Sequence, residues 1–270
     1  MHPEIEDAVR RALAEDIGAG DITTNLCVPA DATATGRMIA RESLTLAGVE
    51  LLPLIFPECS LTRKSGDRLL DGDEIAVVRG PTRALLTGER TALNFVQRLS
   101  GIATLAAAYV RAVAGTNCKI LDTRKTTPGL RRLEKMAAAA GGATIYRMGL
   151  FDAVLIKNNH ITAAGGVRAA LDRTRGAGVP IEIEVRTLPE LDEALDCGAS
   201  HLLLDNLHPD EARAWIARIA GRATVELSGG ITLETARAYA ETGADFLSAG
   251  AITHSARAVD INFRIEVGTS

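Results

Sequence analysis

Residues 181–206 read IEIEVRTLPELDEALDCGASHLLLDN, in which two short apolar runs enclose a segment with helical spacing. The runs ATVELS (223–228) and DFLSAG (245–250) repeat the arrangement. The four runs begin at 181, 201, 223 and 245, so they are 20, 22 and 22 residues apart. This spacing suits compact strand–helix units with short connections. The repeat therefore predicts parallel strands that alternate with helices.

Two earlier runs, KILDTR from Lys119 and AVLIK from Ala153, bring the predicted strands to six. An α/β barrel is favoured, and a doubly wound open sheet is the alternative. Each run is followed by polar residues or glycine, which a barrel would bring together on the face formed by the carboxyl ends of its strands. These residues are Arg124, Lys125, Lys157, Glu184, Asp205, Ser228, Gly229, Gly230, Gly250 and His254.

The chain before residue 115 has a different pattern. A helix-like segment ends at Gly18, and residues 33–80 have strand-like runs and turns. Residues 82–114 predict a long helix with a break at Ser100–Gly101.

Two domains follow from this change of pattern. We predict a small α/β domain with a helical segment over residues 1–114, and an α/β barrel domain over residues 115–270. The C-terminal residues are free to return to the first domain.

The composition excludes several classes of protein. The 270 residues carry 30 basic and 34 acidic side chains with a net charge of −4, and aromatic residues make up 3%, so nucleic acid is not an expected partner. No apolar stretch has the length of a membrane span. The four cysteines are scattered, which argues against disulfides and zinc. A cytoplasmic protein is expected.

Residues 122–129, DTRKTTPG, follow a predicted strand and precede a helical segment. Two adjacent cations beside threonine hydroxyls at a helix N-terminus predict an anion cradle. An exposed charged loop is the alternative.

The glycines near Ser228 and Ser248 lie after the last two predicted strands. Barrels frequently bind phosphate there, because glycine lets the anion approach backbone N–H groups. His254 follows closely and is a candidate for the same site. Tight turns are the alternative for the glycines.

Glu184 and Asp205 end consecutive strands, so both are expected to face one ribose or one Mg²⁺ ion. Glu182 is assigned to the opposite face of its strand. Alternatively, either acid pairs with Lys125 or Lys157.

Further cations stand at Arg90 and Arg147, and together with Lys157 they indicate a polyanionic substrate pair. Ordinary surface charge is the alternative for each of them. His160 and His201 are assigned structural roles, since no metal-ligand spacing is present.

At these residues the sequence resembles the quinolinate phosphoribosyltransferase family over nearly its whole length. The matching segments are GDIT (20–23), ERTALNFVQRLSGIAT (89–104), ILDTRKTTPGLR (120–131), LIKNNHI (155–161), IEIEV (181–185), LLDN (203–206), LSGGI (227–231) and THS (253–255). The resemblance implies an N-terminal α/β sandwich and an incomplete barrel. It also implies a homodimer that shares its active sites, with quinolinate and phosphoribosyl pyrophosphate as substrates and Mg²⁺ as cofactor.

The resemblance also implies residue roles. Arg90 would cross the dimer interface. The carboxylates and pyrophosphate would be held by Arg124, Lys125, Tyr146, Arg147 and Lys157. Glu184 and Asp205 would flank the ribose and the metal and, with Lys125, act in catalysis. The 5-phosphate would lie among Ser228, Gly229, Gly230, Gly250 and His254.

One departure concerns the acceptor. Ile145 and Tyr146 stand where the family has Asn and His, and Asn158 stands where Asp is usual. A tyrosine offers a neutral donor where an imidazole can carry charge. Two alternatives to the quinolinate enzyme follow: a related phosphoribosyltransferase for another aromatic carboxylic acid, and a non-catalytic binding homologue.

Overall fold

The structure is a computed structural model that describes residues 1–267. The chain forms two compact units. The first unit comprises residues 1–107, 126–142 and the chain from Thr253 onward, and the second comprises 108–125 and 143–252. None of the helices within the described residues is long and apolar enough to cross a membrane.

Most of the first unit is built from the N-terminal part of the chain. Its helices are α1 (Pro3–Ile17), α2 (Ile22–Cys27), α3 (Leu52–Ile55), α4 (Thr82–Ala112, whose last turn belongs to the second unit) and α5 (Arg131–Ala140), with a 3₁₀ turn at Val49–Leu51. Its strands are β1 (Thr33–Ala40), β2 (Leu44–Thr45), β3 (Cys59–Leu61), β4 (Arg68–Leu69) and β5 (Glu74–Pro81), joined by Ile261–Val267 near the C-terminus.

An antiparallel sheet organises this unit. The C-terminal strand Ile261–Val267 pairs with β1, β1 pairs with β5, and β5 pairs with β3. Alternation along β1 places Met38 and Ala40 in an apolar core, against Leu93 and Val96 of α4. The first unit therefore has its own core, to which the C-terminal strand contributes Ile261.

The predicted break in the long helix is wrong, because α4 runs without interruption from Thr82 to Ala112. Gly101 serves close packing instead. An ideal Cβ on Gly101 would lie 1.9 Å from the Arg257 carbonyl oxygen, so only glycine lets that segment approach the helix. Ser100 is buried and its hydroxyl bonds both backbone groups of Ala47.

The second unit alternates strands and helices. Its strands are β6 (Lys119–Leu121), β7 (Val154–Ile156), β8 (Ile181–Val185), β9 (His201–Asp205), β10 (Thr224–Ser228) and β11 (Phe246–Ser248). Its helices are α6 (Asn158–Ala164), α7 (Val167–Thr174), α8 (Leu188–Asp196), α9 (Pro209–Ile219) and α10 (Ala236–Ala240). The short α11 (Ala251–His254) and then β12 (Ile261–Val267) lead back into the first unit.

The order of the parallel strands confirms the barrel. The six-stranded sheet has the order β6-β11-β10-β9-β8-β7, so the first strand lies beside the last and the others follow in chain order. A doubly wound sheet would reverse direction within this order. The barrel is incomplete because β6 does not pair with β7, and Thr144 forms an isolated parallel bridge to Leu121 of β6.

The two faces of this sheet differ in chemistry. Ile183, Leu202, Leu204 and Leu227 share one face, on which they are almost completely buried. The opposite face carries carboxylates, because Glu184 is level with Leu203, and Leu203 is level with Glu226. Residues level with each other in parallel strands point to the same side.

Replacement of Gly101 by alanine tests the close approach of residue 257 to α4. Alanine favours helix over glycine, but the new methyl group must displace backbone, so we expect unfolding free energy to fall by about 1–3 kcal/mol. Asn94→Ala at an exposed position of α4 is the matched control and should be neutral or slightly stabilising. Both are measured by denaturant unfolding. Equal or higher stability of Gly101→Ala would show that the segment does not pack on the helix in this way.

Candidate active site

The carboxyl ends of the second unit's strands carry most of the predicted site residues. Glu184 lies within β8, Asp205 and Ser228 end β9 and β10, and Lys157 follows β7. In the sheet, Asp205 lies beside Ser228. It is two residues further along β9 than Leu203, which lies beside Glu184. These side chains therefore lie on one face of the sheet, as parallel strands require.

Glu184 is buried and lies between two cations. Its Oε1 accepts hydrogen bonds from Arg186 Nε at 3.0 Å and Nη2 at 2.7 Å. Its Oε2 lies 3.4 Å from Lys157 Nζ. The alternative that Glu184 pairs with Lys157 thus holds. Because two half-exposed cations meet one buried carboxylate, the group carries excess positive charge at its rim.

Arg186 was not predicted as a site residue, although its position in the sequence indicates one. It stands two residues after Glu184, so strand alternation continued by one step places it on the same face. Its backbone N–H also donates to Glu190 Oε2 at 2.8 Å. This second contact ties the arginine to the first turn of α8.

Asp205 has a different environment, because both of its donors are neutral. Ser228 Oγ donates to Oδ1 at 2.5 Å, and Asn206 Nδ2 donates to Oδ2 at 2.7 Å. The carboxylate therefore keeps its net charge, whereas that of Glu184 is offset.

The two glycines after β10 have different surroundings. Gly229 has φ 91°, and an ideal Cβ there would lie 2.2 Å from Asn206 Oδ1. Asn206 itself is left-handed, with φ 59°, and its N–H donates to the Ser228 carbonyl at 2.9 Å. Gly230, with φ 61°, has nothing within 4 Å of such an atom. Close packing against Asn206 accounts for Gly229, and Gly230 faces open space.

The assignment of Glu182 to the opposite face is wrong. Glu182 and Glu184 are two residues apart, so alternation puts them on the same side. Glu182 is buried and accepts a hydrogen bond from the Tyr146 hydroxyl. Ser248 Oγ donates to the neighbouring Glu226.

Burial, together with the charge of Glu182, raises the pKa of Glu226 well above its usual range. The charge of Lys157 acts in the opposite direction. Burial also raises the pKa of Tyr146, and the charge of Glu182 adds to the effect. Tyr146 therefore remains protonated, and its single O–H is used by Glu182.

Residues 122–130 form a loop of mixed exposure. Asp122 is buried, and its Oδ1 accepts the Tyr146 backbone N–H at 2.8 Å, so strand β6 positions Tyr146. Arg124 is half-buried and Lys125 is exposed. Thr127, however, donates its N–H and hydroxyl to Glu134, at 3.0 and 2.7 Å, and these two groups are therefore committed within the protein.

The remaining predicted residues are placed as follows. Arg147 is half-buried, with Nη1 3.5 Å from the Ala153 carbonyl oxygen. His160 Nδ1 accepts the Lys157 N–H at 2.9 Å at the start of α6, a structural role of the kind expected. Exposed Arg90 lies on α4, and His254 Nδ1 lies 2.6 Å from Ser255 Oγ, both in the first unit. Gly250 is half-buried directly after β11.

Chemically, the second unit combines five partly or fully exposed cations with carboxylates. The cations are Arg124, Lys125, Arg147, Lys157 and Arg186. Asp205 supplies a retained negative charge on the same face of the sheet as Glu184. Such a site suits a polyanionic substrate that develops positive charge during reaction.

Comparisons with known proteins agree with this geometry over both units. Residues 21–100 match the model of the quinolinate phosphoribosyl transferase N-terminal domain, and residues 102–264 match that of the C-terminal domain. The nicotinate-nucleotide pyrophosphorylase [carboxylating] of Mycobacterium leprae is 45% identical over 94% of this chain and 95% of its own. The probable nicotinate-nucleotide pyrophosphorylase [carboxylating] of Bacillus subtilis is 39% identical, over 98% and 94%.

A solved structure shows the same fold. The nicotinate-nucleotide pyrophosphorylase of Francisella tularensis superposes with a TM-score of 0.92 at 34% identity, covering 98% of each chain. The similarity extends through the antiparallel sheet and the incomplete barrel, and the chain belongs to the quinolinate phosphoribosyl transferase family.

Proposed function

We propose that this protein transfers the phosphoribosyl group of phosphoribosyl pyrophosphate to quinolinate. The products are nicotinate mononucleotide, pyrophosphate and carbon dioxide, in the biosynthesis of NAD. The observation that carries the proposal is the group formed by Glu184, Lys157 and Arg186 on the same sheet face as Asp205. The names of the relatives support the same reaction.

Departure of pyrophosphate leaves positive charge on the ribose ring, which a nearby carboxylate stabilises. Asp205 is the stronger stabiliser because its hydrogen-bond donors are neutral. Glu184 fixes Lys157 and Arg186, so its main effect is to orient cations. Arg124 and Lys125 hold the leaving pyrophosphate, with Lys125 stabilising its developing charge.

The carbon dioxide leaves after the pyridine nitrogen has been ribosylated and is cationic. The substrate itself then stabilises the carbanion at the adjacent carbon. The protein has to hold the ring and its carboxylates. We assign the carboxylates to Arg124, Arg147 and Lys157, and we assign to Tyr146 a contact with the ring. Ser228, Gly229, Gly230, Gly250 and His254 surround the 5-phosphate. Among the glycines, Gly230 offers the open approach.

Magnesium is proposed as the cofactor. Asp205 would hold it together with the pyrophosphate, since both oxygens of Glu184, the other expected ligand, already meet cations. No group of three or more His, Cys, Asp or Glu arranged to hold a metal is present among residues 1–267. Asp205 nevertheless fits, since its oxygens accept only neutral donors and Mg²⁺ is commonly bound by one or two carboxylates plus substrate phosphates. When bound, the ion neutralises charge on the leaving group.

A homodimer with shared active sites is also proposed, in which Arg90 serves the partner's site. Each unit exposes large apolar side chains of the kind found at interfaces: Ile22 and Leu26 in the first unit, Leu150 and Phe151 in the second. A cytoplasmic location accords with the composition.

A second candidate function is the same transfer to a different aromatic carboxylic acid. The observation that favours it is the committed hydroxyl of Tyr146, which donates to Glu182 and has no second proton for an acceptor carboxylate. Half-exposed Ile145 adds apolar surface beside it. A non-catalytic homologue is disfavoured, because Asp205 and the cations would have no task.

The proposed reaction and the unequal roles of the two acids are tested together. Wild type with Mg²⁺, phosphoribosyl pyrophosphate and quinolinate should release pyrophosphate and form nicotinate mononucleotide. Asp205→Asn should lower kcat by about 10²–10³-fold, as for other lost electrostatic stabilisers. The isosteric Glu184→Gln should lower kcat by about tenfold or less while raising KM. Absence of product in wild type refutes the function, and equal kcat losses refute the distinction.

Subunit mixing tests the shared site. Arg90→Ala and Lys125→Ala chains are each expected to be inactive, but their random mixture should recover about a quarter of wild-type activity, because half the dimers keep one intact site. Lys125→Ala mixed with Lys157→Ala is the control, and it should recover nothing. If the first mixture also recovers nothing, Arg90 acts within its own chain.

The acceptor is tested at Tyr146. Tyr146→Phe should change KM for quinolinate by about threefold or less, because the hydroxyl serves Glu182. Tyr146→His places an imidazole beside two buried acids, where it becomes positively charged and should lower KM for quinolinate about tenfold. Initial rates are compared across pyridine mono- and dicarboxylates. If wild type already uses quinolinate as well as Tyr146→His does, the second candidate is wrong.

A further inference from the structure

An ion pair in the first unit, between a partly exposed arginine and a buried glutamate, joins two segments that are distant in the sequence. The threonine loop comprises residues 126–130 and follows Lys125 directly in the chain. The histidine turn comprises residues 253–256 and contains His254. Arg98 of α4 and Glu134 of α5 lie between these segments.

The side chain of Glu134 has no exposed surface. Its two oxygens accept the N–H and hydroxyl of Thr127, at 3.0 and 2.7 Å. Oε1 also accepts from Arg98 Nη2 at 3.0 Å. Since a buried carboxylate is tolerated only when compensated, the position of Thr127 depends on the Arg98–Glu134 pair.

Arg98 extends the connection to the histidine turn. Its Nη1 donates to the Ala256 carbonyl and its Nη2 to the Thr253 carbonyl, each at 2.6 Å. Thr253 and Ala256 are buried, whereas His254 and Ser255 between them are exposed. The guanidinium therefore donates hydrogen bonds to both ends of the turn, and the side chains of His254 and Ser255 between them remain exposed.

We infer that Arg98 and Glu134 are positioning residues that hold the threonine loop and the histidine turn as one ordered element. This role rests on the proposed function, in which Lys125 binds pyrophosphate and His254 lies near the 5-phosphate. One rigid pair thereby sets the positions of groups that bind opposite ends of phosphoribosyl pyrophosphate. Tyr146, Arg147 and Lys157, three of the four residues assigned to the acceptor, lie outside both segments, so acceptor binding should change less.

Single substitutions would leave a buried charge unpaired and confuse positioning with folding. The double variant Arg98→Met/Glu134→Gln removes both charges, keeps similar side-chain length and leaves Thr127 an amide oxygen as acceptor. Arg218→Met/Asp192→Asn is the matched control. That pair is likewise an arginine–carboxylate pair within one unit, with hydrogen bonds of 2.7 and 2.6 Å, but it is solvent-exposed and joins α9 to α8.

Amide hydrogen exchange of the free protein reports order without requiring turnover. In the double variant, amide exchange should be faster in peptides from residues 126–130 and also in peptides from residues 253–256. In the control variant, exchange of both segments should match that of wild type. Unchanged exchange in either segment overturns the inference. This readout decides the coupling even if wild type forms no product, which would refute only the proposed function.

Kinetics supply the second readout. The double variant should raise KM for phosphoribosyl pyrophosphate about ten- to a hundredfold, as misplacement of binding groups by a remote change does. KM for the acceptor should stay within about threefold, and Tm close to that of wild type. A merely structural pair would lower Tm and the active fraction with both KM values unchanged, and that result would also overturn the inference.

Discussion

A carboxylate buried inside a parallel sheet must be neutralised or hydrogen-bonded, and this requirement shapes the second unit. Glu182, Glu184 and Glu226 share one face of its strands, and the charge of each is accommodated differently. Glu182 accepts a hydrogen bond from the Tyr146 hydroxyl. Glu184 is compensated by two cations. Glu226 has a raised pKa beside Glu182, which favours its neutral form.

The cations that compensate Glu184 are half-exposed, so they are shared between the buried acid and the rim of the site. Asp205 is held by neutral donors and keeps its charge. In the proposed reaction these two acids on neighbouring strands therefore have separate tasks: Glu184 orients cations, and Asp205 stabilises positive charge. On the same face, the carboxylate of Glu182 accepts the hydroxyl of Tyr146, the residue through which we propose to test the acceptor.

The first unit solves the same problem once more at Glu134. Its carboxylate gains its partners from a helix and a loop, and through Arg98 from a turn near the C-terminus. Close packing adds to this, because Gly101 admits the Arg257 backbone to the surface of α4. Buried charge and close backbone contact together keep the C-terminal segment within the first unit.

Much of the fold was predictable from local pattern. All six strands of the barrel begin within one residue of their predicted starts, since apolar runs of this spacing have few other solutions. The polar residues at their ends were also identified, because parallel strands must share one edge. Alternation alone should have placed Glu182 beside Glu184, and that error was one of counting.

What only the tertiary structure decided are the partners contributed by distant parts of the chain. Asn206 packs so closely on Gly229, and the Arg257 backbone on Gly101, that neither position has room for a side chain. Glu134 accepts the N–H of Thr127. No local rule distinguishes a glycine that packs from one that turns or binds phosphate, because the difference lies in an atom contributed by another segment. The sequence by itself determined the strands, the polar strand ends and the family; the structure decided which of those polar groups are already committed to each other.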